Sequence, residues 1–402
     1  MNPEDIEYEP VSVKAVLAEM KDTAELLIDL SYSAVLHAND DLAAEVLDLE
    51  ERMDILQLQA RMSLMMAARS PEDAEELAPV LGVVGAAEKI SDAAGDIAKV
   101  VIEDIGLPDA IRAALPEAVE TTIRCELTDE SPYAGRDLGD INMETETGVR
   151  VVAIHRAGEW VTNPDHETTL RAGDVLLLRG RDDGLQTVHE AATGLRYDPP
   201  DVPEPTIEDL ERAVDSIVLM KDMSELAVDL AYGAVLFDSE GVAEEVEELE
   251  AEVDALKSRF EAWTLRAASR VEDPVSLRGL VQLAGATEMI SDAALEIAEG
   301  VLRGIDAHPV VAAAVKESDE VIIRLRVAPR SDLAEATLGD RRVKTETGMR
   351  VIAVRRAGGR EWVVSPGSET RLHGGDLIIA KGTRAGAERL GELVGDEREF
   401  DE

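Results

Sequence analysis

Apolar residues in the first part of the chain recur in alternating steps of four and three, at Leu42, Val46, Leu49, Met53, Leu56 and Ala60. That spacing lays one apolar stripe along a helix. A preceding stretch from Val11 to His37 predicts another helix, and Asn39-Asp40 can end it and cap the next. A third helix is predicted from Pro71 to Ile105, with the proline in its first turn and a stripe of Val80, Val84, Ala87, Ile90 and Ala94. Three antiparallel helices with short connections make a bundle. The period then changes. Short β-rich runs follow at 122–127, 149–154, 159–162 and 175–178, with turn signals at Ala157-Gly158, Asn163-Pro164 and Ala172-Gly173-Asp174. A short helix between Gly135 and Met143 and a helical stretch from Leu185 to Ala192 complete a small mixed-sheet α/β unit.

The whole arrangement is written twice. Met20-Lys21-Asp22 returns as Met220-Lys221-Asp222, and Asp29-Leu30 with Tyr32 returns as Asp229-Leu230 with Tyr232. Ile90-Ser91-Asp92-Ala93-Ala94 and Thr145-Glu146-Thr147-Gly148 recur 200 residues later, and an extra glycine near Gly359 lengthens the offset to 202. Such self-similarity marks a tandem duplication. The predicted architecture is α+β and multidomain: three-helix bundles at 1–112 and 207–307 alternate with small α/β units at 113–197 and 308–395. A proline-rich linker at 198–206 joins the halves, and an acidic tail occupies 396–402.

Charge narrows the functions open to this chain. Its 85 acidic against 40 basic residues give a formal charge of −45, which leaves no basic footprint for nucleic acid. Nine of the basic residues are lysine and 31 arginine. An acidic, lysine-poor surface suits a cytoplasm of molar salt, where the Debye length is about 3 Å, and so predicts a halophilic source. The single cysteine, Cys125, reads as a small strand residue and excludes an intrachain disulfide. The N-terminus lacks the regions of a signal peptide, and no apolar stretch reaches membrane-spanning length. A cytoplasmic protein is expected, peripheral at a membrane only through a partner.

The α/β units resemble the TrkA-C, or RCK C-terminal, domain of potassium-conductance regulators. The resemblance rests on Leu138-Gly139-Asp140, the run from Thr147 to Arg156, Trp160, Asn163-Pro164 and the run from Leu170 to Leu176. The second copy offers Leu338-Gly339-Asp340, the run from Thr347 to Val354, Trp362, Pro366 and Gly375-Asp376. The helical units each resemble half of a PhoU-type protein. That likeness rests on Gly85-Ala86-Ala87-Glu88-Lys89-Ile90-Ser91-Asp92 and its partner Gly285 to Asp292. Archaeal proteins that join one such bundle to one TrkA-C domain are related to potassium channels, and this chain looks like two of them fused.

These resemblances imply a regulatory or sensor subunit of potassium transport, acting on a membrane channel or transporter, and not an enzyme. They imply a pseudo-dimer or homo-oligomer whose α/β units pair across a twofold axis. A small ligand, with cyclic di-AMP as candidate, would lie between them against Leu138, Arg150, Leu338, Lys344 and Arg350. Both arginines stand at strand positions that alternation turns outward. Glu144, matching Lys344, opposes a phosphate and predicts lopsided binding. The PhoU likeness implies a divalent or transition metal held by carboxylates four apart: Glu50 with Asp54, Glu88 with Asp92, Glu250 with Asp254, and Glu288 with Asp292. The alternative function is a PhoU-like, metal-binding regulator of phosphate transport or signalling. No nucleotide-binding glycine fingerprint follows a strand, and no P-loop or nucleophile motif is found.

Overall fold

The computed structural model describes residues 12–108, 111, 121–162, 164–180, 182–197, 207–303, 309–317, 321–358, 362–364 and 366–395. The linker at 198–206, the tail at 396–402, Val11, Asn163 and Gly359 lie outside them. The first repeat opens with α1 (Val13–His37), α2 (Asp40–Ala67) and α3 (Pro71–Ile102). Asn39 caps α2, its side chain accepting from the Leu42 amide at 2.8 Å. The stripe from Leu42 to Ala60 is buried along its whole length, as the spacing predicts. A sheet unit follows: β1 (Thr121–Glu126), the short helices α4 (Leu138–Ile141) and α5 (Met143–Thr147), β2 (Arg150–Arg156), β3 (Glu159–Val161), β4 (Val175–Gly180) and α6 (Asp182–Thr193).

The second repeat carries α7 (Glu208–Phe237), α8 (Glu240–Ala268) and α9 (Arg278–Leu302), with a 3-10 turn at Pro274–Leu277. A further helix, α10 (Pro309–Glu317), was not expected from the pattern. It packs on α1 of the other repeat and on α7, strapping the halves together. Then come β5 (Val321–Arg326), α11 (Val343–Thr347), β6 (Met349–Arg355), β7 (Trp362–Val364), β8 (Leu377–Gly382) and α12 (Arg384–Val394).

The sheets differ from the expected mixed type. Their orders are β1-β4-β2-β3 and β5-β8-β6-β7, and every pairing is antiparallel. The helical crossover does set β1 and β2 running the same way, but β4 inserts between them and pairs with both. Alternation along the strands then divides two cores. Leu176 and Leu178 face the unit's own core with α6, whereas Leu177 and Ala153 join the helical core. In the second sheet Ile352, Ala353, Leu377 and Ile379 do the same. Each unit's last helix sits so close to the turn before the sheet's central strands that glycine is required. A Cβ on Gly386 would stand 2.5 Å from the Thr347 carbonyl oxygen, and Gly184 faces Thr147 in the same way.

The two bundles pack along α3 and α9. The sheet units approach one another at α5, where the Glu144 carboxylate lies 3.8 Å from the place a Cβ on Gly348 would occupy. Their principal seats, however, are the helices: β1 rests on α1 and α2, and β5 and β6 rest on α7. Within the chain the α/β units meet at this point and dock mainly onto the bundles.

Candidate functional site

The docking is electrostatic at its centre. Each first helix carries Lys, Glu and Asp four residues apart, as Lys21, Glu25 and Asp29 in one repeat and Lys221, Glu225 and Asp229 in the other. That spacing stacks them on one face of an otherwise apolar helix. Lys21 and Lys221 each pair with the Glu one turn on, at 2.7 Å. Lys21 is 1% exposed, and its ammonium lies 5.5 Å from the Tyr232 ring of the other repeat.

The sheets supply the opposing cations. Arg179 on β4 hydrogen-bonds Asp29 of its own repeat and reaches Glu225 of the other at 3.8 Å. Lys381, its counterpart on β8, contacts Asp229 at 2.5 Å and Glu25 of the other repeat at 3.1 Å. The crossed pattern is pseudo-twofold. Arg350 adds contacts to Asp229 at 2.9 Å and Glu225 at 3.5 Å. Burial opposes the charge of Glu225, yet Lys221, Arg350 and Arg179 together hold its carboxyl far below the usual range.

Beside this network lies a cavity of about 670 Å³, bounded by α1, α7, β1, β4 and the second sheet unit. Five cations line it, Arg179, Lys221, Arg342, Lys344 and Arg350, against three carboxylates, Asp29, Asp222 and Glu225. A net positive lining in a chain of −45 concentrates anions locally. Apolar wall is provided by Ile217, Val218, Leu226, Leu338 and Val351.

Of the ligand positions expected from sequence, Leu338, Lys344 and Arg350 therefore line one cavity. Leu138 and Arg150 do not: Leu138 packs against its own unit's core, and Arg150 starts β2 in register with Arg179. Nor is Arg350 simply solvated, since it is paired with the buried Asp229. Arg179, Lys381, Glu25 and Glu225 were missed. Their signal was the duplicated Lys-Glu-Asp spacing on an apolar helix, where a charge demands a partner.

The predicted metal carboxylates fall on facing sides of α2 with α3 and of α8 with α9. Glu50 and Glu88 are half-buried, and Asp54 and Asp92 are exposed, a pattern repeated at Glu250, Glu288, Asp254 and Asp292. Lys99 reaches Glu50 at 3.4 Å and Arg61 reaches Glu88 at 3.1 Å. In the second repeat Lys257 holds Glu288, but Glu299 stands where Lys99 would. Burial first, then mutual repulsion, raises the carboxyls of Asp92, Glu250 and Asp292, and burial raises Glu50 despite Lys99. Among the described residues, one trio of metal-ligating groups lies within 4.8 Å, and it is a different one: Glu45, Asp48 and His155.

A pH effect follows. Groups with raised folded-state values bind protons that the unfolded chain has released, so stability increases as pH falls from 7 toward the ordinary carboxylate range. Glu225 and Asp376 are held low, and their contribution is lost as pH falls through their folded values. The melting temperature is expected to rise as pH falls from 7 into the carboxylate range and to drop again at lower pH, where Glu225 and Asp376 are protonated. A steady fall from pH 7 downward would contradict this.

Elsewhere the sites are structural. Asp174 accepts two bonds from Arg156, both at 2.7 Å, and one from the Arg171 amide, fixing the turn before β4. Cys125 is buried, which pushes its thiol up to about 12 and leaves it inert.

Comparison with known proteins agrees with this division. The PhoU domain family matches residues 17–101 and 217–301, and the TrkA-C domain family matches 123–192 and 322–395. A phosphate-specific transport system accessory protein, a PhoU homologue of Zymomonas mobilis, is 27% identical over 91 residues. The match takes in 22% of this chain and 38% of that protein's length. PhoU from Pseudomonas aeruginosa is a structural neighbour at 14% identity and TM-score 0.40, covering 73% of this chain and 96% of its own. The GsuK RCK domain is another, at 14% identity and TM-score 0.19, covering 72% of this chain and 65% of its own. The two family models together take in most of the sequence, each of them twice and in alternation. The chain is a tandem repeat of PhoU and TrkA-C domains.

Proposed function

We propose that this protein is a regulatory, ligand-sensing component of potassium transport, working on a membrane channel or transporter. PhoU and TrkA-C are regulatory families, and the RCK resemblance supports a channel partner. Among the described residues no helix is long and apolar enough to cross a membrane, so contact with the transporter would be made through a partner surface. The observation that carries the reading is the cavity between both PhoU bundles and the TrkA-C units, with Arg342, Lys344 and Arg350 on one wall.

An anion entering there competes with Glu225 and Asp229 for Arg350, because guanidinium groups bind phosphate and carboxylate in the same bidentate way. Occupancy would then shift how the TrkA-C unit sits on α7, and that shift is the signal. Cyclic di-AMP is the candidate: two phosphates for the cations, two bases for the apolar wall. Calorimetry at molar salt is the test. Joint replacement Arg342→Ala and Lys344→Ala is expected to weaken binding at least about tenfold, given the strength of charge-assisted bonds. Arg150→Ala, outside the cavity, should leave it unchanged. Absence of binding by the unmutated protein, or equal binding by the double variant, rejects the site.

The carboxylate groups on α2 with α3 and α8 with α9 favour a second reading, a metal-binding regulator of phosphate transport. It predicts that Glu250, Asp254, Glu288 and Asp292, which lack a counterpart of Lys99, hold the ion more tightly than the first set. Equal metal retention by protein altered at Asp254 and Asp292 would exclude it.

A further inference from the structure

Another contact between sheet and bundle lies in the first repeat, where β2 faces α2. Glu45 on α2 is buried and is gripped from two sides: Arg124 Nε donates to Oε1 at 2.8 Å, and His155 Nδ1 lies 2.8 Å from Oε2. A carboxylate only accepts, so Nδ1 carries a proton. In the neutral ring the lone pair is then on Nε2. Trp160 stacks flat on the ring, with centroids 4.6 Å apart and planes 7° apart, and fixes its orientation.

Nε2 is buried and has no hydrogen-bond partner, and it points at Asp48 Oδ2, 3.5 Å away. With Nε2 protonated the two atoms form an ion pair at 3.5 Å, longer than an N–H···O bond, which runs to about 3.2 Å. With Nε2 neutral they are two donors at the spacing that a shared metal ion sets. Ligands bound about 2.0–2.2 Å from one tetrahedral ion stand about 3.3–3.6 Å apart. The third residue is already in the supporting place, since a carboxylate on the far nitrogen sets the tautomer and aims a metal-binding histidine.

We infer that His155 Nε2 and Asp48 bind a divalent first-row transition ion, of which zinc is representative, with Glu45 as the orienting residue. Imidazole with carboxylate is a donor set suited to such ions. Asp48 is half-exposed, with 51% of its side chain open, so water has access to the remaining positions. The ion ties α2 to β2 and so clamps the first TrkA-C unit to its bundle. The second repeat has no such site: Glu245 is retained and Glu248 replaces Asp48, but Arg355 stands where His155 would. One ion per chain follows, at a place separate from both the cavity and the carboxylate sets on α2 with α3 and α8 with α9.

Zinc titration of the full chain tests this, by calorimetry and by nitrogen NMR of the histidines. The unmutated protein is expected to hold one zinc ion more than His155→Arg, a residue the fold accepts at the matching place. Asp48→Asn and Glu45→Gln should each weaken that ion's binding about 10- to 100-fold. The Nε2 resonance of His155 should move on addition of zinc, a change that carboxylate-only sites cannot produce. Equal zinc content in protein and His155→Arg, or a His155 resonance indifferent to zinc, overturns the assignment.

Discussion

Asp229→Ala is expected to cost about 3–5 kcal/mol, the loss associated with breaking a buried ion pair from one side. Asp229 is 1% exposed and Lys381 8%, so removing the carboxylate strands an ammonium that water cannot reach. Arg350 can turn outward, being 42% exposed, but Lys381 is buried beside Glu25 of the opposite repeat and cannot follow it. The penalty comes from desolvation of the partner left behind rather than from the attraction alone. A double variant, Asp229→Leu with Lys381→Met, is therefore expected to recover much of the loss by replacing the pair with packed apolar groups. Lys99→Met, which removes a pair that is 40% exposed on the lysine side, should cost under about 1 kcal/mol. Urea denaturation at one fixed salt concentration measures all three. A loss below about 1 kcal/mol for Asp229→Ala would mean that the network is open to solvent.

Dilution of salt should have an effect of comparable size on the whole molecule. At 1 M salt charges farther apart than about 3 Å are screened, whereas at 0.1 M repulsion extends about 10 Å. With a net charge of −45, repulsion among carboxylates then spreads across whole helix faces. The weakest place is α8, where seven of the 11 residues from Glu244 to Asp254 are acidic and none is basic. Below roughly 0.5 M salt the chain is expected to loosen, with amide exchange along α8 rising first. Circular dichroism and hydrogen exchange across a salt series measure this. A melting temperature indifferent to salt would overturn it, and with it the reading of a halophilic source.

Both outcomes depend on which charges meet, and that was only partly legible in the chain. The PhoU and TrkA-C likenesses were visible because each rests on ordered local runs, such as Thr147 to Arg156. Arg350 belongs to such a run and Lys344 lies just before it, and both line the cavity. Their facing wall was assigned to the other sheet unit, whereas helices α1 and α7 provide most of it. Arg179 and Lys381 drew no attention because each ends an apolar strand, where an outward cation is ordinary. His155 drew no attention either, since Asp48 lies on another element 107 positions earlier.

The sequence by itself determined the duplication, the three-helix and sheet composition of each repeat, the Asn39 cap and the buried stripe from Leu42 to Ala60. These are local properties: periodicity, capping and turn chemistry act within a few residues, so the chain states them directly. Only the tertiary structure decided that β4 inserts between β1 and β2, that the sheets seat on α1 and α7, and that α10 straps the repeats together. It also decided which buried charges pair, because Lys381 and Asp229 are 152 positions apart and Arg350 and Asp229 are 121 apart. A hydrophobic period says that a face is buried but not what buries it. A buried charge says that a partner exists, and only packing brings that partner within 3 Å.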